Sequence, residues 1–473
     1  MSNFFETNLP SQAPTYLVGQ ELKDKFEAAV ASINARTAKL NEALDISCME
    51  PNKFHAVAKA VFLHSAERFD EMSAIELADT CRLLDDGVEV PVKRLEWPNA
   101  TVLFDTAFTS TKEWESLRHI GIGGSDSAVV MGVSPYTTQR MLFHDKVGTP
   151  KAAPIVEDNP VFARGHMTEP KVIEAFCSLT AAKVVPESRM FASKKYPNST
   201  ANIDAIVQMP NGKLFIFEAK TAKEDNRKAW LNDKVPRYYL TQTHQYPAVL
   251  DDDRIEGTYI SCMFCVDYNI GDFFVTALYD EDRNLTRFVE RDKIAEEDML
   301  EAEQEYWENY IIPGIEPDPG DPAKELALLE ELTGGPAPTV KCLDMSNRLI
   351  PDVEEWLEIG EQLSALNKQV DALKDKRDAV KVRLVEALGT EILGRVPLPD
   401  NEAYELDYKP TKEYAALDEK KLKKGFTDAY DWVEENMTNY GLLKDKFPEA
   451  YNACVTTKSK ARVLRVKKVC VPR

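Results

Sequence analysis

The 473-residue chain carries 58 Lys and Arg residues against 79 Asp and Glu residues, for a net charge of −21. A body this acidic excludes a protein that simply coats nucleic acid, so any contact with DNA requires local basic surfaces. Hydrophobic residues make up 44% of the chain and charged residues 29%, the ordinary balance of a globular protein with two or three domains. No apolar run is long enough to span a bilayer, and the start MSNFFETNLP lacks a signal pattern. We therefore predict a cytoplasmic protein without membrane contact.

The cysteines indicate neither a disulfide framework nor a metal cluster. Among the eight cysteines, Cys262 and Cys265 form one CxxC pair in an apolar, strand-like run, and no second pair has matching spacing. We interpret both as small buried hydrophobic residues.

Residues 1–110 are predicted to form a helical accessory domain. Apolar residues recur every three or four positions from Leu22 to Leu44, with Thr37 as the one polar member, which is the pattern of one face of a long helix. A second apolar run extends from Phe54 to Phe69. Neither run carries residues that indicate chemistry.

A glycine-rich turn follows at residues 121–126, within a stretch whose character changes at Thr111. It is not a Walker loop, because the Gly-Lys-Ser/Thr ending is missing. Ser125 or Asp126 is expected to cap a helix over residues 127–132. The exposed amides of such a turn can approach a phosphate or simply form a capped turn, and the sequence leaves both possibilities open.

A further helix is predicted downstream, with Ile173, Phe176 and Leu179 facing inward. Glu169 is expected near its first turn, where a carboxylate suits the helix dipole.

Two short apolar strands, residues 201–207 and 213–219, flank a Pro-Asn-Gly turn that favours a hairpin. Each strand carries an acid, Asp204 in the first and Glu218 at the end of the second. Because side chains alternate along a strand, Glu218 and Lys220 share one face. Hairpin pairing would bring Asp204 beside them.

Buried charges are costly unless they are paired or bind a metal. One interpretation of these three residues is a Glu–Lys pair on an exposed edge strand, with Asp204 in a turn. The spacing Asp-x13-Glu-x-Lys is also that of the PD-(D/E)xK nucleases, and apolar residues surround each charge. The whole pattern favours a nuclease site.

Beyond the hairpin, Arg227, Lys228, Lys234 and Arg237 are interleaved with aromatic residues, which suits either a nucleic-acid contact or a solvated helix face. A helix with Gln242 and Gln245, strands over residues 258–266 and 273–277, and an acidic helix to about Tyr310 are predicted next. A region rich in Pro and Gly then predicts a linker at residues 313–345.

The last predicted region, residues 346–473, begins with a long heptad helix. Nine of ten residues spaced by alternating threes and fours from Trp356 to Ala387 are apolar, and Arg377 is the exception. Such a helix can pair with another chain or pack in cis, and Gly389 closes it. From Lys458 the tail carries seven Lys and Arg residues and no acid. It is either a DNA-backbone contact or a strand of the C-terminal region.

Residues 111–312 are predicted to form a nuclease core, and the stretch from about Thr111 to Tyr310 resembles the YqaJ-type viral recombinases, relatives of the lambda-type alkaline exonuclease. The resemblance rests on ordered motifs: Arg118 before IGGSD at 122–126, GVSPY at 132–136, GHMTEP at 165–170, Asp204, Glu218-Ala219-Lys220, and Tyr239-x-x-Gln242. It implies an α/β fold of restriction-endonuclease type, with a central mixed sheet flanked by helices. It also implies 5′-to-3′ degradation of linear double-stranded DNA, which leaves a 3′ strand for a single-strand annealing protein.

The resemblance also implies roles for individual residues. Asp204, Glu218 and Glu169 would bind Mg²⁺ or Mn²⁺, and Lys220 would orient or deprotonate the attacking water. Gln242 matches a glutamine near the catalytic site, and Arg118 and Ser125 match the pair that holds a terminal 5′-phosphate. Independently, three acids against one lysine leave a negative charge that a hard divalent cation would offset.

Two other functions stay open from the sequence. The nuclease fold could be weakly active or inactive and recruit a recombination or replication partner, or the same core could be an endonuclease or nickase. A homo-oligomer acting on double-stranded DNA ends is the expected assembly.

Overall fold

A computed structural model describes residues 4–84, 93–151, 160–232, 234–265, 285–334, 349–399, 402–409, 413–417, 419–426, 428–430, 443–444, 446–459 and 464–470. Its contacts divide the chain into two compact units, Met1–Pro338 and Thr339–Arg473. The finer predicted divisions near residues 110 and 313 stay predictions. No described helix combines the length and apolar character needed to cross a membrane.

The first unit mixes helices with two sheets. Its described helices are α1 (Gln20–Ser47), α2 (Pro51–His64), α3 (Ala66–Glu71), α4 (Ala74–Leu83), α5 (Thr111–Leu117), α6 (Gly124–Val130), α7 (Gln139–Lys146), α8 (Pro160–Thr180), α9 (Arg237–Leu250), α10 (Lys293–Tyr306) and α11 (Pro322–Thr333). Its described strands are β1 (Ala100–Asp105), β2 (Lys183–Val185), β3 (Arg189–Ser193), β4 (Thr200–Asn202), β5 (Ala205–Gln208), β6 (Leu214–Lys223), β7 (Ile255–Cys265) and β8 (Thr286–Glu290).

The predicted apolar stripes of the N-terminal region are buried. Phe26, Val30, Ile33 and Leu40 of α1 face the interior, and the second run supplies α2 and α3. These helices meet β1 through His55 of α2, whose Nε2 lies 2.9 Å from the Oδ2 of Asp105. The same carboxylate also accepts hydrogen bonds of 2.7 Å from Arg94 and from Ser188. Because β1 pairs with β3, the helical region is joined to the middle of the chain by backbone hydrogen bonds.

The larger sheet confirms the predicted mixed α/β core. Its order is β2-β5-β6-β7-β8, with β6 and β7 parallel and the other neighbours antiparallel. Alternate residues of β6 face opposite layers: Leu214 and Ile216 pack with residues of α9, while Phe215 and Phe217 pack with Val172 and Phe176 of α8. The central strand is therefore covered on both faces, as the unbroken apolar run of its sequence requires.

The hairpin forms with Ala205 opposite Phe217, and Gly212 in its turn has φ 84°, a conformation that favours glycine. The predicted first strand is broken, however. Residues Ile203 and Asp204 separate β4 from β5, which belong to different sheets.

Other local predictions near the site need correction. The turn at 121–126 leads into α6 at Gly124, so neither Ser125 nor Asp126 precedes the helix; Asp126 instead accepts the Gly123 amide from within the first turn. Glu169 is ten residues into α8 rather than in its first turn, and Leu179 is exposed because the helix presents Val172 and Phe176 to the sheet.

The interpretation of the basic and aromatic stretch changes too. Arg227 is buried over Phe264, 4.6 Å from its ring, and Trp230 is buried as well, so this part serves the core. Cys262 is buried as predicted. The side chain of Cys265 and the predicted strand at 273–277 lie outside the described residues.

The second unit contains the predicted heptad helix, α12 (Ile350–Leu388), which ends before Gly389. It also has α13 (Glu419–Gly425), α14 (Pro448–Cys454), a sheet of β9 (Leu393–Leu398), β10 (Glu402–Asp407) and β13 (Arg465–Cys470), and a pair of β11 (Glu413–Leu417) and β12 (Val455–Ser459). The basic tail therefore includes a strand. Lys467 pairs with Glu405 at 2.9 Å and Lys468 with Glu402 at 2.5 Å.

Candidate active site

Asp204 and Glu218, the two acids of the hairpin region, lie close to the break between β4 and β5. Asp204 lies in that break, and its Oδ2 accepts a hydrogen bond of 3.0 Å from the backbone amide of Ala219 on β6. This bond ties the carboxylate to the strand that carries Glu218 and Lys220. The local sequence produces the arrangement because the first strand stops before Asp204, while the second continues through both charged residues.

Glu218 is buried, with 1% of its side chain exposed. One carboxylate oxygen, Oε1, accepts a hydrogen bond from the Lys220 ammonium, while Oε2 is buried without a hydrogen-bond partner in the described part of the chain. Burial and the negative charge of Asp204 raise the pKa of Glu218 to about 8, against the opposing effect of Lys220. A buried acceptor left unsatisfied is costly, which makes this oxygen a candidate to bind a ligand.

Glu169 approaches the same place from α8. Burial and then the charge of Asp204 raise its pKa to about 7, while Lys220 opposes this rise. The pKa of Lys220 is itself raised, because Glu218 and Asp204 outweigh the effect of burial. The ammonium also lies over the Tyr239 ring, 5.2 Å from its centroid. The carboxylates of Glu169, Asp204 and Glu218 therefore interact electrostatically, with the protonated Lys220 among them.

Helix α9 supplies the neighbouring polar wall. Gln242 is nearly buried and donates a hydrogen bond of 2.5 Å to the hydroxyl of Tyr246, one turn further along the helix. Helix α6 approaches this pair closely at Gly124, where an added Cβ would lie 2.9 Å from Gln242 Cγ and 3.0 Å from the Tyr246 ring. The second glycine of the IGGSD motif, Gly124, is thus needed for the close contact between α6 and α9.

Arg118 and Ser125 lie on another wall. Arg118 is half-exposed, with its Nη2 3.6 Å from Asp145 and 3.8 Å from Asp126, and its guanidinium lies over the Trp114 ring at 5.7 Å. Ser125 is exposed in the first turn of α6. The arginine charge is therefore shared with two carboxylates but remains open to solvent.

A buried lysine, Lys146, supports this wall from behind. Its ammonium donates to Asp126 at 2.6 Å and to the carbonyl of Arg118 at 3.0 Å. Burial raises the pKa of the Asp126 carboxyl, but the positive charges of Lys146 and Arg118 outweigh burial and hold this pKa below its usual range. Asp126 is thus an ionised structural anchor between Arg118 and α7.

All seven residues predicted for the site line one cavity of about 780 Å³: Arg118, Ser125, Glu169, Asp204, Glu218, Lys220 and Gln242. Their catalytic and binding roles stay predictions. Sequence reasoning did not single out Trp114, Tyr246 or Lys146, and it named Tyr239 and Asp126 only as members of motifs and, for Asp126, as a helix cap. Two of these had a usable signal, because Trp114 is four residues before Arg118 and Tyr246 four residues after Gln242, one helical turn in each case. Nothing in the sequence marked Lys146.

The carboxylates of Glu169, Asp204 and Glu218 have the oxygen donors that a hard divalent cation requires, but they are not gathered around one point. Within the described ranges, no group of three His, Cys, Asp or Glu side chains is gathered closely enough to hold a metal as it stands. Two observations nevertheless favour a cation here. The buried Oε2 of Glu218 has no hydrogen-bond partner among the described residues, and the pKa values of Glu169 and Glu218 are raised by burial and, next, by the charge of Asp204. Oxygen donors of this kind suit Mg²⁺ or Mn²⁺.

The mixed sheet thus has an acid-lined cavity at the end of its central hairpin. Residues 113–252 match the family model of the YqaJ-like viral recombinase domain, a family of recombination nucleases. The resemblance inferred from the motifs is therefore confirmed for this part of the chain.

A relative extends the similarity beyond that domain. The chain is similar to a Bacillus subtilis (strain 168) protein named "Uncharacterized protein YqaJ", with 26% identity over 347 residues. The aligned stretch covers 72% of this chain and 97% of the relative.

Proposed function

We propose that the protein is a Mg²⁺- or Mn²⁺-dependent exonuclease that degrades linear double-stranded DNA from the 5′ end and leaves 3′ single strands for recombination. One observation carries this proposal: a single cavity holds both an acid–acid–lysine cluster suited to phosphodiester hydrolysis and an arginine–serine pair suited to a terminal phosphate. The product strand would pass to a single-strand annealing protein, and the reaction would take place in the cytoplasm.

Asp204 and Glu218 would hold the metal ion, and Glu169 would complete the ligand set. When bound, the ion supplies a lowered pKa for water and charge stabilisation for the leaving oxygen. Oε2 of Glu218 is the donor we assign first, because it is buried and lacks a protein partner in the described residues. The Ala219 amide holds Asp204 against the strand that carries Glu218.

Lys220 would orient the attacking water and stabilise charge on the phosphate. Its raised pKa keeps it protonated, which favours this role over deprotonation of the water. Gln242, held by Tyr246, would position the substrate from the facing helix. Gln242 would act through its position, so its contribution would depend on the close packing of α6 against α9 at Gly124.

Arg118 and Ser125 would recognise the 5′-phosphate that distinguishes a DNA end. Guanidinium groups match phosphate oxygens with a fork of donors, and the serine hydroxyl adds another. Asp126 and Asp145 would hold the guanidinium in place while reducing its net attraction for the phosphate.

The test is a Mg²⁺ digestion time course on linear duplex and on covalently closed circular DNA, with Asp204→Ala as the control. We expect the linear duplex to disappear and the closed circle to survive, with no digestion by the variant or in EDTA. Nicking or cutting of the circle would replace this proposal with an endonuclease. Metal-dependent loss of neither substrate would favour a recruiting protein with a nuclease fold.

A further inference from the structure

The long helix α12 of the second unit presents an apolar stripe that the described residues of the chain leave uncovered. None of its 39 residues is buried in the part of the chain that the structure describes. At 1.5 Å per residue the helix is about 58 Å long. Trp356 at the start of the stripe is 78% exposed. The exposed residues that follow it along the stripe are Ile359, Leu363, Leu366, Val370, Leu373 and Val380. An exposed apolar surface of this length is typical of an interaction site.

The stripe has the spacing of a coiled-coil seam. Its ten residues alternate by threes and fours through five heptads, more than the three or four that such a pairing requires. A partner for a seam of this kind is a second helix with the same repeat. The helix itself meets that requirement, so a second copy of the chain is the simplest occupant.

The charges along α12 decide the orientation of such a pair. Residues 350–361 carry five acids and no base, whereas residues 362–388 carry six bases and four acids. The bases concentrate beside the seam, where the flanking positions of the second half are Lys374, Lys376, Lys381 and Arg383. A parallel pair would bring these like charges together and place Arg377 against its own copy. Like charges at these positions destabilise a coiled coil.

An antiparallel pair removes these conflicts. It places the basic half of one helix beside the acidic and neutral half of the other. In the register that pairs all ten seam residues, Trp356 meets Ala387 of the second copy, which combines the largest seam residue with the smallest. Arg377 then faces Leu366 instead of another arginine. Val370 and Leu373 meet at the centre.

We propose that two copies of this protein associate through α12 as an antiparallel coiled coil. The interface joins second units and requires no residue of the catalytic cavity. A dimer built in this way would carry two nuclease sites, and its formation is independent of whether those sites cleave DNA.

The first test is sedimentation of the full-length protein over a range of concentrations. We expect a mass of twice 53.3 kDa that falls to the monomer mass on dilution. The double variant Leu366→Glu/Leu373→Glu should raise the dissociation constant at least roughly a hundredfold, because each dimer loses four buried leucines. Val382→Glu is the matched control, since Val382 is off the seam and 56% exposed, like Leu366 at 54%. It should leave the mass unchanged.

Circular dichroism checks that the variants keep their helix. If the double variant loses it, Glu355→Lys/Glu358→Lys/Glu361→Lys takes its place, because this change makes the whole helix basic and should also weaken association. A wild-type protein that is monomeric at every concentration overturns the proposal and leaves the seam for a different protein. An oligomer that neither the leucine variant nor the charge-reversal variant affects also overturns it.

Orientation is tested by mixing a Trp356→Cys chain with an Ala387→Cys chain under mild oxidation. Mass spectrometry of the peptides should find the disulfide between the two different chains. Disulfides that join two Trp356→Cys chains at the substituted position, without the mixed product, would establish a parallel pair and refute the antiparallel assignment.

Discussion

Removal of the Arg118 guanidinium should erase the preference for a 5′-phosphorylated end. A hydrogen bond between a charged donor and a phosphate contributes about 1.5–3 kcal/mol. Arg118 is 37% exposed and lies within 4 Å of two carboxylates, so solvent and competing acids both weaken its pull. We therefore expect the lower part of that range, about 1.5–2 kcal/mol. This corresponds to a preference of roughly 10- to 30-fold for phosphorylated over hydroxyl ends.

The assay compares single-turnover degradation of linear duplexes that differ only in the 5′ group. Arg118→Ala should slow the phosphorylated substrate to the rate of the hydroxyl substrate and leave the latter unchanged. Arg118→Lys should recover only part of the preference, because lysine keeps the charge but loses the planar fork. Asp145→Asn should increase the preference, since it removes a competing carboxylate.

Arg140→Ala is the matched arginine control. Arg140 lies on α7, pairs with Glu316 at 2.6 Å and does not line the cavity. It should leave the ratio of the two rates intact. Equal rates on both ends with wild-type protein, or an undiminished preference in Arg118→Ala, would refute the assignment of the phosphate pocket.

Three further predictions concern the acids of the core and the tail. Asp204→Ala and Lys220→Ala should each lower the cleavage rate by a factor of roughly a hundred to ten thousand; calorimetric titration with Mg²⁺ should show weaker binding for Asp204→Ala, and unchanged binding would remove its role as ligand. Glu303→Gln should stabilise the protein at pH 8. Burial raises the pKa of the Glu303 carboxyl from its usual 4.5 to about 7, against the opposing effect of hydrogen bonds from Ser199 and Gln245. The wild type therefore loses up to about 3 kcal/mol of stability as the pH rises from about 4.5 to 7. Thermal melts at pH 5 and pH 8 test this, with exposed Glu305→Gln on the same helix as control; an equal pH response of wild type and Glu303→Gln would contradict it. A chain that ends at Thr457 loses β13, whose six residues pair along β10, so the second unit should become sensitive to limited proteolysis while residues 1–338 resist; a truncated protein with an intact second unit and weaker DNA binding would instead restore the role of the tail as a DNA contact.

Much of this site could be predicted from the sequence, because its residues lie in short motifs with local physical meaning. Asp204, Glu218 and Lys220 stand out as charges in apolar strands, and the Pro-Asn-Gly turn predicts the hairpin that brings them together. The heptad spacing similarly determines α12 and its end at Gly389. These patterns repeat at the period of the backbone, so neighbours along the chain suffice to identify them.

Other features depend on contacts between distant parts of the chain. The break of the first strand at Asp204 arises because β4 pairs with β3 while β5 pairs with β6. The sequence also left two equal interpretations of the tail, a DNA contact or a strand. In the structure β13 pairs with β10, and acids on β10 form ion pairs with its lysines. Burial and partner choice are properties of the packed chain. For this reason only the tertiary structure shows that Lys146, a charged residue in an ordinary helix, binds Asp126 and the carbonyl of Arg118.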